Sequence, residues 1–402
     1  MSKWDNNEEI QILRRYLRIP SVHPNINYEP CVDFLKEQAL NLGLPISVFY
    51  PVNDKNPVVI ITWTGSQPTL SSIMLNSHMD VVPVFEEFWT HPPFSANIDE
   101  NGRIYARGAQ DMKSIGTQYL AAIRALKRDG IEQLKRTFHV IFVPDEEING
   151  TYGMEGFVTS KEFTDLNVAF SLDEGDPSPT NELILYHGER SSCAVEFTCY
   201  GQSGHGSLFL KNTPGKKVQF LINKFMEFRD IEEGKLQSNT NLSIGDVTTI
   251  NLSMMSGGVQ NNVIPGEFTI VFDIRLAVDV DHDEFYRMIE RWCDEAGGNI
   301  KINYQSKDPK SPVTVTDETN PFWTAFKRAT DELNLKINKQ ICSGGTDSRF
   351  LRIVSIVSLD FVQLSANQQF GNIFNKKLRP FRIEKRSGPG ILTYMEYSSQ
   401  IA

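Results

Sequence analysis

Four short runs of β-branched and aromatic residues constrain the fold of this chain more than any other feature. Val58–Trp63 (VVIITW), the strand that begins at Ile73–Leu75, Thr137–Val143 (TFHVIFV) and Val168–Leu172 (VAFSL) are nearly all apolar, with no regular polar alternation. That is the pattern of strands buried on both faces. Helical spacing flanks them over Glu8–Leu17, Pro30–Leu42 and Met112–Arg128. The last helix places Ile115, Tyr119, Ala122, Ile123 and Leu126 on one side and stops at Gly130. Strands alternating with helices predict an α/β fold built on a mostly parallel sheet flanked by helices.

The pattern changes from about Ile184 to Tyr304. Strand, helix, strand, a Gly-Gly turn, strand, helix and strand follow over Cys193–Tyr200, Lys217–Glu233, Asp246–Leu252, Glu267–Leu276, Asp283–Ala296 and Ile300–Tyr304. Two split β-α-β halves of this kind predict an inserted α+β, ferredoxin-like domain. The expected organisation is therefore 1–183 as a first segment, 184–304 as an insert, and 305–402 as the return, beginning with a helix at Pro321–Leu333. At 402 residues there is room for such a two-domain chain.

Charge and sulfur narrow the function classes. Forty Lys+Arg against fifty Asp+Glu gives a net charge of −10, which argues against a nucleic-acid or anionic-membrane binder. No apolar run approaches the ~20 residues of a membrane span. The opening MSKWDNNEEIQILRRYL mixes both charge signs and does not read as a secretory signal. Cys31, Cys193, Cys199, Cys293 and Cys342 are scattered, with no C-x-x-C pair, which suits reduced thiols and a cytoplasmic setting. Leu351–Ala402 stands apart, with seven Lys/Arg against three Asp/Glu, and includes the basic run Lys376–Arg386. A solvated tail is the first reading of that run.

Acidic and imidazole side chains gather just past predicted strand ends. His78-Met79-Asp80 follows the Ile73 strand, Asp145-Glu146-Glu147 follows TFHVIFV, and Asp173-Glu174-Gly175 follows VAFSL. Asp111 precedes the Met112 helix. In open α/β sheets ligands bind outside the strand carboxyl ends. Each segment alone has an ordinary reading: Asp111 could cap a helix, and the acidic triplet could be a solvated turn. Together they suit one imidazole and several carboxylates around divalent ions, because paired glutamates repel unless a cation or proton offsets them.

These segments resemble the dinuclear zinc amidohydrolases, a family that includes aminoacylases, acetylornithine deacetylases, succinyl-diaminopimelate desuccinylases and related carboxypeptidases. The resemblance rests on Ser77–Pro83 (SHMDVVP), Trp89–Phe94 (WTHPPF), Tyr105–Lys113 (YARGAQDMK), Pro144–Glu147 (PDEE) and Leu172–Gly175 (LDEG). It continues through Gly257-Gly258-Val259, Asn262–Pro265 and Gly345–Arg349 (GTDSR). Its wording is similar to the animal aminoacylase branch. The resemblance implies a zinc-exopeptidase-like catalytic domain that hydrolyses N-acyl-L-amino acids as a homodimer formed through the inserted domain. It implies that His78 and Glu174 hold one zinc, Glu147 the other, and Asp111 bridges them. Glu146 would be the general base and later the acid, and Asp80 would orient His78. His205 would stabilise an oxyanion across the dimer. Asn262, Arg275 and Arg349 would bind substrate, with a guanidinium suited to the free α-carboxylate. Taken alone, His205 reads as a surface histidine, Asn262 as a turn former and Arg275 as half of an ion pair.

The chain also departs from the resemblance. Similar enzymes carry a further zinc-ligand histidine near the C-terminus, whereas none of the seven histidines here lies beyond His282. The expectation is a secure first zinc, a weakened second one and lowered activity. A dipeptidase or carboxypeptidase of the same family, or a low-activity variant that mainly dimerises, are the alternative readings.

Overall fold

The computed structural model describes Trp4, residues 6–178 and 182–361, and the backbone of Phe381–Lys385 and Thr393–Tyr397. Of the basic run Lys376–Arg386, all but that backbone lies outside the described residues. The chain forms two units. The first comprises Met1–His187, Thr314–Lys339 and Thr346–Ala402; the second comprises Gly188–Val313 and Gln340–Gly345. All but the first four residues of the 184–304 insert read from sequence lie in the second unit, which also takes in residues to 313 and a short second visit.

The strands before the insert are β1 (Ile46–Phe49), β2 (Val58–Trp63), β3 (Ser72–His78), β4 (Asn97–Ile98), β5 (Arg103–Tyr105), β6 (Phe138–Val143), β7 (Val168–Asp173) and β8 (Glu182–Glu189). Those of the insert are β9 (Ser191–Tyr200), β10 (Gly204–His205), β11 (Thr249–Gly257), β12 (Val263–Ile264), β13 (Glu267–Leu276) and β14 (Ile300–Lys307). β15 (Lys336–Cys342), β16 (Val357–Phe361), β17 (Phe381–Lys385) and β18 (Thr393–Tyr397) complete the set. The helices are α1 (Glu8–Leu17), α2 (Glu29–Leu42), α3 (Lys113–Arg128), α4 (Gly156–Val158), α5 (Lys161–Asp165), α6 (Pro214–Ser238), α7 (His282–Glu295), α8 (Pro321–Glu332) and α9 (Ser348–Ile353).

The large sheet runs β1-β2-β6-β3-β7-β16-β8-β15. Its centre, β6-β3-β7-β16, is parallel, while β1, β2 and β8 pair antiparallel on its flanks. Mixed flanks around a parallel centre explain why the central runs are unbroken. Val59, Ile61, Leu75, Val140 and Phe142 pack with α1, α2 and α3 on one face. Val58, Ile60, Met74, Ile141 and Val143 pack with Phe157, Phe163, Phe350 and Leu351 on the other. Period-two alternation is present, but both faces are core. Asn7 accepts from the backbone N–H of Ile10 to start α1, and Gly43, with φ 62°, ends α2 in the left-handed region that favours glycine.

The parallel centre places the carboxyl ends of β3, β6 and β7 on one edge, with His78 in register beside Val143. α3 approaches that edge closely. A Cβ at Gly116 would stand 2.5 Å from Phe142 Cε1 and 2.8 Å from Ser77 Oγ. Only glycine allows the helix this near.

The second unit orders its four strands β11-β13-β9-β14, every pairing antiparallel, with α6 and α7 in the two crossovers. That is the ferredoxin-like order read from the sequence pattern. β9 alternates buried Cys193, Val195, Phe197 and Cys199 with half-buried residues, and the buried set packs on Leu221, Phe225, Phe285 and Ile289 of the helices. All five cysteines are buried and unbridged.

His139 on β6 gives the fold a pH dependence. Its Nδ1 lies 3.0 Å from Thr62 Oγ1, and burial pulls the imidazole down to about 4. An unfolded histidine titrates near ~6.5. Between those values the unfolded chain holds a proton the folded chain does not, so this stability is complete above the upper value and is lost as pH falls toward the lower. His139→Gln should flatten that acid limb: from pH 7 to 4 the parent should lose about 3 kcal/mol more than the variant. Urea midpoints across that range measure it, and parallel curves would refute it.

Candidate metal centre

His78, the last residue of β3, is fully buried. Its Nδ1 lies 2.9 Å from the Asp80 carbonyl oxygen. A carbonyl only accepts, so this hydrogen bond gives Nδ1 a ring proton and makes Nε2 the nitrogen that can bind a metal, or donate to a carboxylate when the ring is protonated. Nε2 in turn faces Asp111 Oδ1 at 2.7 Å and Glu174 Oε2 at 3.7 Å. Asp111 arrives from the loop before α3, and Glu174 follows β7 directly. Three electron-pair donors from three segments therefore converge, all within 4.8 Å of one another. Groups meeting at that range need a cation or protons to offset their charge. One imidazole and two carboxylates suit a divalent ion.

The electrostatics agree. Burial opposes charge on His78, but Glu174 and the hydrogen bond to Asp111 outweigh it and raise its basicity well above the usual histidine range. Burial, then the charge of Asp111, pushes the Glu147 carboxyl up to about 7. Burial likewise lifts Glu146 and Glu174 well above the carboxylate range, with neighbouring carboxylates adding to it. The centre carries more negative charge than its own cations offset.

A second cluster, His23, Asp80 and Asp145, also lies within 4.8 Å, but its oxygens are already occupied. Asp80 Oδ1 accepts from the Glu146 N–H at 3.2 Å. Asp80 Oδ2 accepts from the Glu147 N–H at 3.1 Å and lies 2.9 Å from His23 Nε2. Asp145 Oδ1 accepts from the Tyr28 hydroxyl at 2.5 Å, and Oδ2 accepts from the Asn56 amide. This cluster is complete as a hydrogen-bonded network. It also steadies the turn carrying Glu146 and Glu147, where Asp145, Asn149 and Gly150 all adopt positive φ.

The remaining site residues read from sequence divide by unit. Arg349, in the first, is buried and donates to the carbonyls of Thr346 at 3.0 Å and Asn149 at 3.1 Å. His205, Asn262 and Arg275 are in the second. The β10–β12 ladder brings the first two together: His205 pairs with Val263, and the Gly206 N–H donates to the Asn262 carbonyl at 2.7 Å. The His205 ring is exposed, with Nδ1 2.8 Å from Ser207 Oγ. Arg275 donates to Asp273 at 3.1 Å.

Three residues near the centre escaped the sequence reading. His23 is one. Arg107 places its guanidinium 5.3 Å from the Trp89 ring centroid, and its buried Nε has no partner among the described residues. Asp347 shares the Asn76 amide with Asp173, at 3.2 and 3.0 Å. Its Oδ1 is buried without a partner among the described residues, and burial together with Asp173 pushes its carboxyl up to about 8. Asp347 lies within the quoted GTDSR segment, so only its role was missed. Arg107 likewise stands inside YARGAQDMK.

A metal measurement tests the convergence. After dialysis the parent protein should retain about one tightly held divalent ion per chain, and Asp111→Ala should retain almost none, because its carboxylate stands nearest Nε2. Elemental analysis reads both values. Unchanged metal in Asp111→Ala would refute the site.

Comparison with known proteins gives one family. A model described as peptidase family M20/M25/M40 matches residues 74–372, past Arg349, the last residue on which the sequence resemblance rests. Aminoacylase-1A of Rattus norvegicus is 42% identical over 369 residues, covering 92% of this chain and 90% of its own. Aminoacylase-1 of Homo sapiens is 43% identical over 357 residues, covering 89% and 87%. Among solved structures, an M20 family metallo-carboxypeptidase from Sulfolobus solfataricus superposes with a TM-score of 0.67 at 18% identity, covering 88% of this chain and 91% of that one. Human carnosine dipeptidase 1 gives 0.63 at 14% identity, covering 91% and 93%. Strand order, donor convergence and sequence identity along nine-tenths of its length agree: the chain belongs to peptidase family M20/M25/M40.

Proposed function

We propose that this chain hydrolyses N-acyl-L-amino acids to a free amino acid and a carboxylate, using zinc held by His78, Asp111 and Glu174. The observation that carries the reading is Nε2 of His78 facing two carboxylates, beside the turn that presents Glu146 and Glu147. The length of the likeness to proteins named aminoacylase-1 supports this substrate class. Zinc bound there would polarise the amide carbonyl and acidify water.

The chain's own residues supply the rest. Glu146 takes the proton of the attacking water and returns it to the leaving nitrogen, so a C–O bond forms as the C–N bond breaks and no charge is left over. Glu147 and Asp111 hold any second ion. Within these 402 residues no histidine follows His282, so that second ion is the weaker one. Arg275, half-exposed beside Asp273, is the candidate grip on the substrate α-carboxylate. Arg349, committed to two backbone carbonyls, steadies the turn after Glu147. Comparing acetyl-methionine with an unblocked dipeptide separates this reading from dipeptidase action.

The second unit offers a self-association edge. β11 ends its sheet and exposes Leu252, Met254 and Met255. Unpaired apolar edge strands are templates for pairing. We assign this edge to a homodimer that presents His205 to the partner's centre, in the cytoplasm, where the five unbridged thiols would remain reduced.

One mixing experiment addresses base and dimer together. Glu146→Gln should keep its metal and lose at least ~10² in kcat, and His205→Ala should lose activity on its own. Mixed under subunit exchange, the two should regain part of the parental rate, since one hybrid centre has both groups intact. Full activity in Glu146→Gln would remove the base assignment. Full activity in His205→Ala would remove the dimer role.

A further inference from the structure

Asp80 is the most heavily engaged carboxylate near the centre. Oδ1 accepts from the Glu146 N–H at 3.2 Å and lies 3.5 Å from His78 Nδ1. Oδ2 accepts from the Glu147 N–H at 3.1 Å and lies 2.9 Å from His23 Nε2. Asp80 thus holds the metal-facing imidazole through its carbonyl at 2.9 Å and the backbone of the turn bearing the paired glutamates through its carboxylate. Among the described residues, His23 is the one side chain from outside those two segments that meets the Asp80 carboxylate.

Backbone hydrogen bonds bring His23 there. Ser21–His23 runs beside Met79–Val81 as a parallel bridge, Val22 opposite Val81. The Val81 N–H donates to the Ser21 carbonyl at 2.9 Å, and the His23 N–H donates to the Val81 carbonyl at 3.2 Å. The Ser21 hydroxyl adds a bond to the Met79 carbonyl at 2.6 Å. The imidazole is only 10% exposed, and it faces Asp80, with Asp145 Oδ1 at 3.8 Å. Tyr28 and Asn56 hold Asp145 in turn. Each link has low freedom, so the position of the ring transmits to the carboxylate.

We propose that His23 is a positioning residue of the hydrolytic centre. It fixes the Asp80 carboxylate in the plane from which that carboxylate holds the Glu146–Glu147 turn beside His78. Without it, Asp80 keeps its two backbone donors but can swing about them, and the glutamates lose their registration with the metal-facing imidazole. Groups that act behind a metal ligand commonly contribute 10- to 100-fold in affinity or rate, and small misplacements of reacting groups are costly. The proposal rests on the reading of Glu146 as the base only for its effect on rate; its effect on metal binding is independent of that reading.

The test is a double-mutant cycle on the full chain loaded with zinc. His23→Leu should lower kcat about 10- to 100-fold and leave KM within about twofold, and chelator competition should show zinc held about 10-fold more weakly. His23→Gln, whose amide N–H can take the place of Nε2, should recover both values to within about threefold. On an Asp80→Asn background, His23→Leu should cost no more than about twofold, because the coupled partner has gone. Parental kcat and zinc affinity in His23→Leu, or an undiminished cost on the Asp80→Asn background, would overturn the proposal. Should His23→Leu fail to fold, His23→Asn withdraws the donor while staying polar and must show the same losses; parental values there would equally overturn it. If Glu146→Gln is fully active, the base reading fails, while the zinc-affinity arm still decides the role of His23.

Discussion

Three electron-pair donors aimed at one point set the terms for this structure. His78 Nε2, Asp111 and Glu174 lie within 4.8 Å of one another, where their charge must be offset by a bound ion or by protons. The fold delivers them there regardless, because the parallel order β6-β3-β7 brings the ends of those strands to one edge, with α3 against the same edge. The core holds this arrangement rigid: both faces of the central strands are packed, so no strand can slide to relieve the repulsion. Ion binding releases electrostatic tension that the hydrophobic core has imposed.

Behind that point stands a second layer of opposite character. Around Asp80 and Asp145 each carboxylate oxygen meets an N–H or O–H donor, so this layer needs no ion and is rigid in itself. A saturated hydrogen-bonded layer behind an unsaturated one is what an ion centre requires: the inner donors stay oriented while their charge remains available. The turn after β6 joins the two layers. Its backbone N–H groups bind Asp80 while its side chains, Glu146 and Glu147, face the acidic centre.

Much of this was legible in the sequence. VVIITW and TFHVIFV announced buried strands because both of their faces are core, and Val58–Trp63 agrees with the structure residue for residue. β1 went unread: it is a four-residue edge strand after Pro45 with no fully buried position, so it leaves no apolar run. β11 was expected to stop at Leu252 but continues to Gly257 through exposed residues. Its backbone pairing with β13, past a bulge at Leu252/Met254, requires no burial pattern. The metal-facing residues were readable because each follows a strand or opens a helix. His23 was not. It lies in an irregular segment, and only the bridge between Val22 and Val81 brings it to Asp80, a pairing that leaves no periodic signal.

The central claim is the place of the ion, and an anomalous difference map at the zinc absorption edge from crystals of the zinc-loaded protein tests it most directly. The strongest peak should lie among His78 Nε2 and the carboxylates of Asp111 and Glu174, with none inside the His23–Asp80–Asp145 cluster. A strongest peak inside that saturated cluster, or none at His78, would contradict it.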